Sequence, residues 1–248
     1  MDRELERLPN GLEVAFATLG ELRYQYYEIF QSGASLRHGL AIPPGAHVFD
    51  VGANIGMFSL FAHLAAEGRC HIHAFEPAPE VADILRFNLS SNGVDAEVFD
   101  TALGAADGRA SFTLYPAATA CSGLHRDPGK LAETMANVPL ARDQLWRFTQ
   151  FESIDVPVTT LSRVMREQGV TAIDLLKVDT EGNELDVLRG IDRSQWPRIR
   201  QVLVELHNDE ADRELIAAHV EEHGFEVVVE TTDQRLHMLY ARRAASTG

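Results

Sequence analysis

The chain is short of cysteine, of basic charge and of long apolar runs, and each shortage excludes a class of function. Its two cysteines in 248 residues, Cys70 and Cys121, form neither a disulfide framework nor a metal-ligand spacing, which fits a reducing cytoplasm. Lysine and arginine total 22 against 37 aspartates and glutamates, a net charge of −15. A nucleic-acid enzyme ordinarily presents a basic patch that neutralises phosphates. Arg198 with Arg200, and Arg242 with Arg243, are too short for that and read as solvated surface. Nucleic acid is therefore not the expected partner. No apolar stretch reaches the length of a bilayer span, and Met1-Asp2-Arg3-Glu4 lacks the basic-then-apolar pattern of a signal peptide. The expectations are a cytoplasmic location and no membrane partner. With 45% apolar and 24% charged residues, the composition is that of one globular α/β domain with insertions.

What is present is a nucleotide-type pocket. The run Val48-Phe49-Asp50-Val51-Gly52-Ala53-Asn54-Ile55-Gly56 leads an apolar strand into a glycine-rich turn. A second strand, His71–Phe75, ends on Glu76. Gly52 and Gly56 free the backbone to bend sharply and to approach a ligand, because no Cβ stands in the way. A carboxylate closing the neighbouring strand suits the two vicinal hydroxyls of a ribose. The dinucleotide pattern G-x-G-x-x-G would need glycine at Met57, and Asp50 would repel a pyrophosphate while attracting an ammonium. S-adenosylmethionine (SAM), with an ammonium-bearing tail, a ribose and no phosphate, is the better match than NAD.

Strand-helix alternation from about residue 47 predicts a mostly parallel sheet covered on both faces. Strands are expected at His47–Gly52, His71–Phe75, Ala96–Leu103, Ile173–Asp179 and Gln201–His207, with Ala110–Tyr115 as a further extended segment. Helices are expected around Phe58–Ala65, Val81–Leu89, Thr160–Gln168, Glu184–Leu188 and Leu215–Val220. Glu226–Thr231 and His237–Arg243 read as a terminal hairpin. The pattern is the class I methyltransferase (Rossmann-like) layout: a seven-stranded, mostly parallel sheet with an antiparallel C-terminal hairpin. Residues 1–46 read as an N-terminal cap before the 47–248 domain. The segment of about 117–158, with Ser122-Gly123, Pro128-Gly129, a helical-looking Leu131–Ala136, Trp146 and Phe148, reads as a lid or substrate wall.

Longer motifs bring in a known family. Ile173-Asp174-Leu175-Leu176-Lys177-Val178-Asp179-Thr180-Glu181-Gly182-Asn183-Glu184, followed by Val187-Leu188-x-Gly190-Ile191, resembles the signature of FkbM-type methyltransferases. Val48–Gly56 and Phe75-Glu76-Pro77 are similar to the same family's cofactor motifs. Leu8–Glu13, Tyr24-x-Tyr26-x-Glu28-Ile29-Phe30, Leu36-x-His38-Gly39, Pro116 with Ser122-Gly123-Leu124, and Trp196–His207 resemble members within or beside polyketide and nonribosomal peptide assembly lines. The resemblance implies a SAM-dependent O-methyltransferase acting on a small-molecule acceptor, a polyketide or peptide intermediate that a carrier protein can hold. One departure stands out: many such relatives read D-V-E-K-S-E where this chain has Asp179–Glu184, so the acids are kept and the lysine is absent.

Methyl transfer to a hydroxyl is an in-line displacement that needs close positioning and profits from a base. Ligands of this fold class bind beyond the carboxyl ends of the parallel strands, where Asp179, Glu181, Glu205 and His207 fall. His207 is the first choice for general base, since its unperturbed pKa of about 6.5 suits proton transfer near neutrality. Glu205 shares its strand face and can orient it. Asp179 and Glu181 are expected to hold the cofactor ammonium or the substrate. With His207 they also make a hard-cation set, although a divalent cation is not favoured. Asp50, Gly52, Asn54 and Gly56 are expected around the methionine moiety, Glu76 on the ribose, Thr101 and Ala102 beside the adenine, Ser122 reaching the site from the lid segment, and Tyr24 and Tyr26 as its roof. Glu184 reads as a helix-capping acid, and Lys177 as the partner of an acid. His71, His73, His219, His223 and His237 read as structural. N-methylation of a sugar or peptide amine, a non-catalytic SAM-binding docking module and a nicotinamide oxidoreductase stay open as alternatives.

Overall fold

The computed structural model describes residues 4–124, 149–207, 209–233 and 236–243. A short hairpin, β1 (Leu5–Arg7) and β2 (Glu13–Ala15), precedes helix α1 (Leu19–Tyr26), which runs into a π-helical turn, Tyr27–Gln31. The main sheet alternates with helices: β3 (Ala46–Val51), α2 (Met57–Ala65), β4 (Cys70–Phe75), α3 (Pro79–Ser91) and β5 (Ala96–Phe99). A second sheet interrupts it with β6 (Ala102–Leu103), β7 (Gly108–Leu114) and β8 (Glu152–Thr159). The chain then returns through α4 (Leu161–Glu167), β9 (Leu175–Val178), α5 (Glu184–Arg189), β10 (Gln201–Glu205), α6 (Glu210–Glu222) and the hairpin β11 (Phe225–Thr231) and β12 (His237–Arg243).

The seven-stranded sheet has the order β11-β12-β10-β9-β3-β4-β5. Strands β10, β9, β3, β4 and β5 are parallel, and β12 pairs antiparallel with β10 and β11. The central strands read as nearly unbroken apolar runs because both of their faces are buried. In β3, Val48 joins a core with Met57, Leu60 and Leu85 beneath α2 and α3. Phe49 and Val51 point the other way, into a core with Leu161, Leu188 and Ile216 beneath α4, α5 and α6.

One expectation is corrected. The strand predicted over Ala96–Leu103 breaks at Asp100, which pairs with Arg86 at 2.6 Å. Ala102 and Leu103 then leave the main sheet to pair with Val158 and Thr159. Within the segment expected to form a lid or substrate wall, residues 152–158 are strand, antiparallel to β7. Leu131–Ala136, Trp146 and Phe148 lie outside the described residues. Among the described residues, no helix is long and apolar enough to cross a membrane.

The N-terminal segment is fastened beside the glycine turn by polar contacts. Asn88 on α3 accepts from the Ala15 N–H at 2.7 Å and donates to the carbonyls of Ala15 and Ile55. Phe30 stacks with Tyr26 and meets Phe61 of α2 edge-on.

Candidate active site

Gly52 has φ +77 and Gly56 has φ +91, a region that side chains with a Cβ rarely adopt. The reason both must be glycine differs from the expected one. A Cβ on Gly52 would stand 1.8 Å from the Asp179 carbonyl oxygen, and one on Gly56 would stand 2.7 Å from Leu85 Cδ1. The glycines make room for protein, and so bring the end of β9 against the turn. Asn54, at φ +48, caps the bend: its Oδ1 accepts from the Ile55 N–H at 2.7 Å and from Gln25 Nε2 at 3.2 Å. Its Nδ2 donates to Thr119 Oγ1 at 3.1 Å. Glu21 accepts from the Ala120 N–H and from Thr119 Oγ1, so α1 and the segment after β7 both hold this turn.

Beneath the turn, Asp50 is fully buried. It accepts from Ser59 Oγ at 2.7 Å and lies 3.3 Å from Lys177 Nζ. This corrects the expectation that Asp50 meets a ligand's ammonium, since it has no surface to offer and Lys177 already neutralises it. Lys177 also donates to the Gly52 carbonyl at 3.1 Å and reaches Asp179 at 3.1 Å. Burial opposes its charge, but Asp179 and Asp50 keep the ammonium protonated. The lysine thus welds β3, the turn and the end of β9 together.

Glu76 sits across the turn, accepting from the Asn54 N–H at 3.1 Å and the Ala78 N–H at 2.9 Å. Burial raises its carboxyl to about 7 in spite of those two bonds.

At the tips of β9 and β10 the acids close around one imidazole. His207 Nδ1 lies 2.9 Å from Glu184 Oε1, and Nε2 lies 3.1 Å from Glu205 Oε1, 3.4 Å from Glu181 and 3.7 Å from Asp179. Burial of the ring opposes its charge, yet Glu181, Glu205 and Glu184 hold it protonated well above the ordinary histidine range. That overturns the expected role of His207 as a free general base: both ring nitrogens face carboxylates. Glu184, expected only to cap a helix, is fully buried; it accepts from the Thr180 and Gly182 N–H groups as well as facing the imidazole. Burial raises its carboxyl, but His207 and the Gly182 N–H outweigh that and keep it ionised. Glu181 holds φ +58, a strained setting for a non-glycine residue, with its Cβ against Gly123.

Two further groups belong here: Glu28, which the sequence reading gave no task, and Tyr24, which it expected with Tyr26 to roof the site. Glu28, on the π-helical turn, is raised well above the ordinary carboxyl range by burial and by the charges of Glu205 and Asp179. Tyr24 is half exposed, and its phenol is raised by partial burial and by Glu28, Glu205 and Glu181. Of the two tyrosines expected there, Tyr24 therefore borders the acids, whereas Tyr26 stacks on Phe30. The pattern Tyr24-x-Tyr26-x-Glu28 contained the signal, because a helical turn brings residues four apart onto one side. Ser122 accepts from the Tyr115 N–H, and Thr101 donates to the Pro157 carbonyl. Ala102 is buried where it pairs with β8. These three support the local backbone. The acids and two cations on the strand tips make a negatively charged, partly enclosed site, fitted to a cationic ligand.

Comparison with known proteins identifies the family. The family model for the methyltransferase FkbM domain matches residues 50–227. The chain is 41% identical to the 31-O-demethyl-FK506 methyltransferase FkbM of Streptomyces tacrolimicus, over 98% of each chain. It is 33% identical to the AMB antimetabolite synthetase AmbE of Pseudomonas aeruginosa, over 90% of this chain but only 11% of that protein. Among solved structures, Aeropyrum pernix fibrillarin with natively bound S-adenosyl-L-methionine aligns over 96% of this chain and 82% of that one, at 13% identity and a TM-score of 0.48. The chain belongs to the FkbM methyltransferase family and is a methyltransferase of class I fold.

Proposed function

We propose that the chain is an O-methyltransferase that moves the SAM methyl group to a hydroxyl of a small-molecule natural product, a polyketide or peptide intermediate, free or held by a carrier protein. The names of the FK506 methyltransferase and of the AMB synthetase support that substrate class. The observation that carries the chemistry is the ring of Asp179, Glu181, Glu184 and Glu205 around His207, beside the turn that Lys177 fixes.

Glu76 receives the ribose hydroxyls, and the Gly52–Asn54 turn borders the methionine end. The excess of carboxylates over cations at the strand tips favours the positive charge that SAM brings and disfavours a bare anion. The acceptor hydroxyl sits against Glu205. Its oxygen lone pair attacks the methyl carbon, the carbon–sulfur bond breaks onto sulfur to give S-adenosylhomocysteine, and the hydroxyl proton passes to the Glu205 carboxylate. His207, held as an imidazolium by Glu184, lies 3.1 Å from that carboxylate and keeps it aimed. A carboxylate is a weak base for an alcohol, so holding the oxygen in line with the departing sulfur supplies most of the rate.

A second reading has its own observation. Asp179, Glu205 and His207 offer ligand atoms that all lie within 4.8 Å of one another. They fit a magnesium-like cation that replaces the imidazole proton. Such an ion would acidify a coordinated hydroxyl.

Product analysis tests the function. With methyl-labelled SAM and an acceptor carrying both hydroxyl and amine groups, the label is expected on oxygen; label on nitrogen alone would overturn the O-methyl reading. Exhaustive chelation followed by magnesium tests the cation. Loss and recovery of turnover, with unchanged S-adenosylhomocysteine affinity, supports it, and full turnover after chelation removes it.

A further inference from the structure

A second cluster lies on the same sheet, away from the strand tips. His47, His71 and His73 occupy neighbouring positions of β3 and β4, with His47 in register with His71. Glu97 on β5 is in register with His73, and Asp95 precedes that strand. His73 and Glu97 lie three or more residues from the Glu76 end of β4, with His71 five residues back. That is roughly 10–16 Å along the strand at about 3.3 Å per residue.

Two observations point to a ligand. His71 Nδ1 lies 3.0 Å from Asp95 Oδ2, which fixes Nδ1 as the protonated nitrogen and leaves Nε2 as a lone-pair donor. A carboxylate holding the far nitrogen is how metal-binding imidazoles are commonly oriented. His71 Nε2 lies 3.9 Å from Glu97 Oε1. His73, 2% exposed, is sandwiched between Phe49 at 4.5 Å and Phe99 at 6.0 Å, and its Nδ1 is buried with no hydrogen-bond partner among the described residues. An orphaned buried nitrogen costs free energy that the stacking does not return. An ion pair between His71 and the acids leaves it orphaned.

We propose that His71, His73 and Glu97 form a binding site for a borderline transition-metal ion, zinc above all, which clamps the edge strand β5 to β4. Their ligand atoms lie within 4.8 Å of one another. Zinc bonds of about 2.0–2.2 Å require ligand atoms about 3.4 Å apart, so the set must close by up to about 1.4 Å. Glu97 is exposed and can supply most of that movement. Two imidazoles and one carboxylate suit zinc, nickel or copper, and not magnesium. Because β5 ends the seven-stranded order, it is held by hydrogen bonds on one side only, and a metal bridge would stiffen it. The clamp is structural and independent of the acid ring around His207.

The test uses the full-length protein stripped of metal by chelation. Zinc is titrated calorimetrically, and the melting temperature is measured with and without zinc at about a hundredfold excess over its dissociation constant. The expected result is one site that His207→Ala retains, with a rise in melting temperature of roughly 5–10 °C. His71→Ala should abolish that rise, and Glu97→Ala, at an exposed position, should weaken zinc at least tenfold. Neither variant should change methyl transfer. Zinc that raises stability equally in His71→Ala and Glu97→Ala, that binds only where His207 is intact, or that does not bind the wild type at all would overturn the proposal.

Discussion

Glu76→Gln should remove a pH dependence of stability while destroying cofactor binding, an outcome that follows from one buried carboxyl. Glu76 is 6% exposed, and burial raises it from 4.5 to about 7. Between those values the folded protein binds a proton that the unfolded chain has released, so stability falls as pH rises through that window. A shift of about 2.5 units corresponds to about 3 kcal/mol, fully present above pH 7 and absent below pH 4.5. Glutamine cannot ionise and can accept only one of the two backbone N–H bonds, so whatever its stability near pH 4.5, the variant should lack the fall of about 3 kcal/mol that Glu76 gives the wild type between pH 4.5 and pH 8. Urea denaturation of both proteins across that range isolates Glu76, because Glu21 and Glu28, also raised by burial, titrate in both. Calorimetry should show S-adenosylhomocysteine binding by the wild type weakening about tenfold per pH unit below 7, and no comparable binding by the variant. If the two proteins share one pH slope, or if Glu76→Gln binds the ligand normally, the assignment of this carboxylate is wrong.

Other perturbations test neighbouring parts. Gly52→Ala sets a Cβ 1.8 Å from the Asp179 carbonyl at a positive φ; overpacking and backbone strain together predict a loss of about 2–5 kcal/mol in chemical denaturation. Lys177→Met leaves Asp50 buried without a counter-charge and should cost about 3–5 kcal/mol, which thermal unfolding would register as a clearly lowered midpoint. The double variant Asp50→Asn with Lys177→Met should recover part of that loss; no recovery would mean that the pair is not the reason for it.

The sheet was legible because its central strands are apolar on both faces and its terminal hairpin alternates. The break at Asp100 was not, because the partner that draws Ala102 and Leu103 away is β8, some 50 residues on. A run of suitable residues does not reveal which sheet it will join. The acids at the strand tips were found from their positions after Val178 and Val204. Their effect on His207 was hidden, since Asp179, Glu181 and Glu184 come from more than 20 residues away and only their convergence makes the ring an imidazolium. Glu184 was misjudged because an acid in a first helical turn carries the same sequence signal whether it caps the helix or faces a histidine. Asp50 shows the converse: its charge was visible, but Lys177, its partner across two strands, decides where that charge is spent.

The ring of carboxylates around the imidazole is tested most directly by Glu205→Gln, followed as turnover of labelled SAM alongside calorimetric binding of S-adenosylhomocysteine. Transfer should fall by about 10²–10⁴-fold while the ligand dissociation constant stays within a few-fold of the wild type. Wild-type turnover by Glu205→Gln would contradict the account.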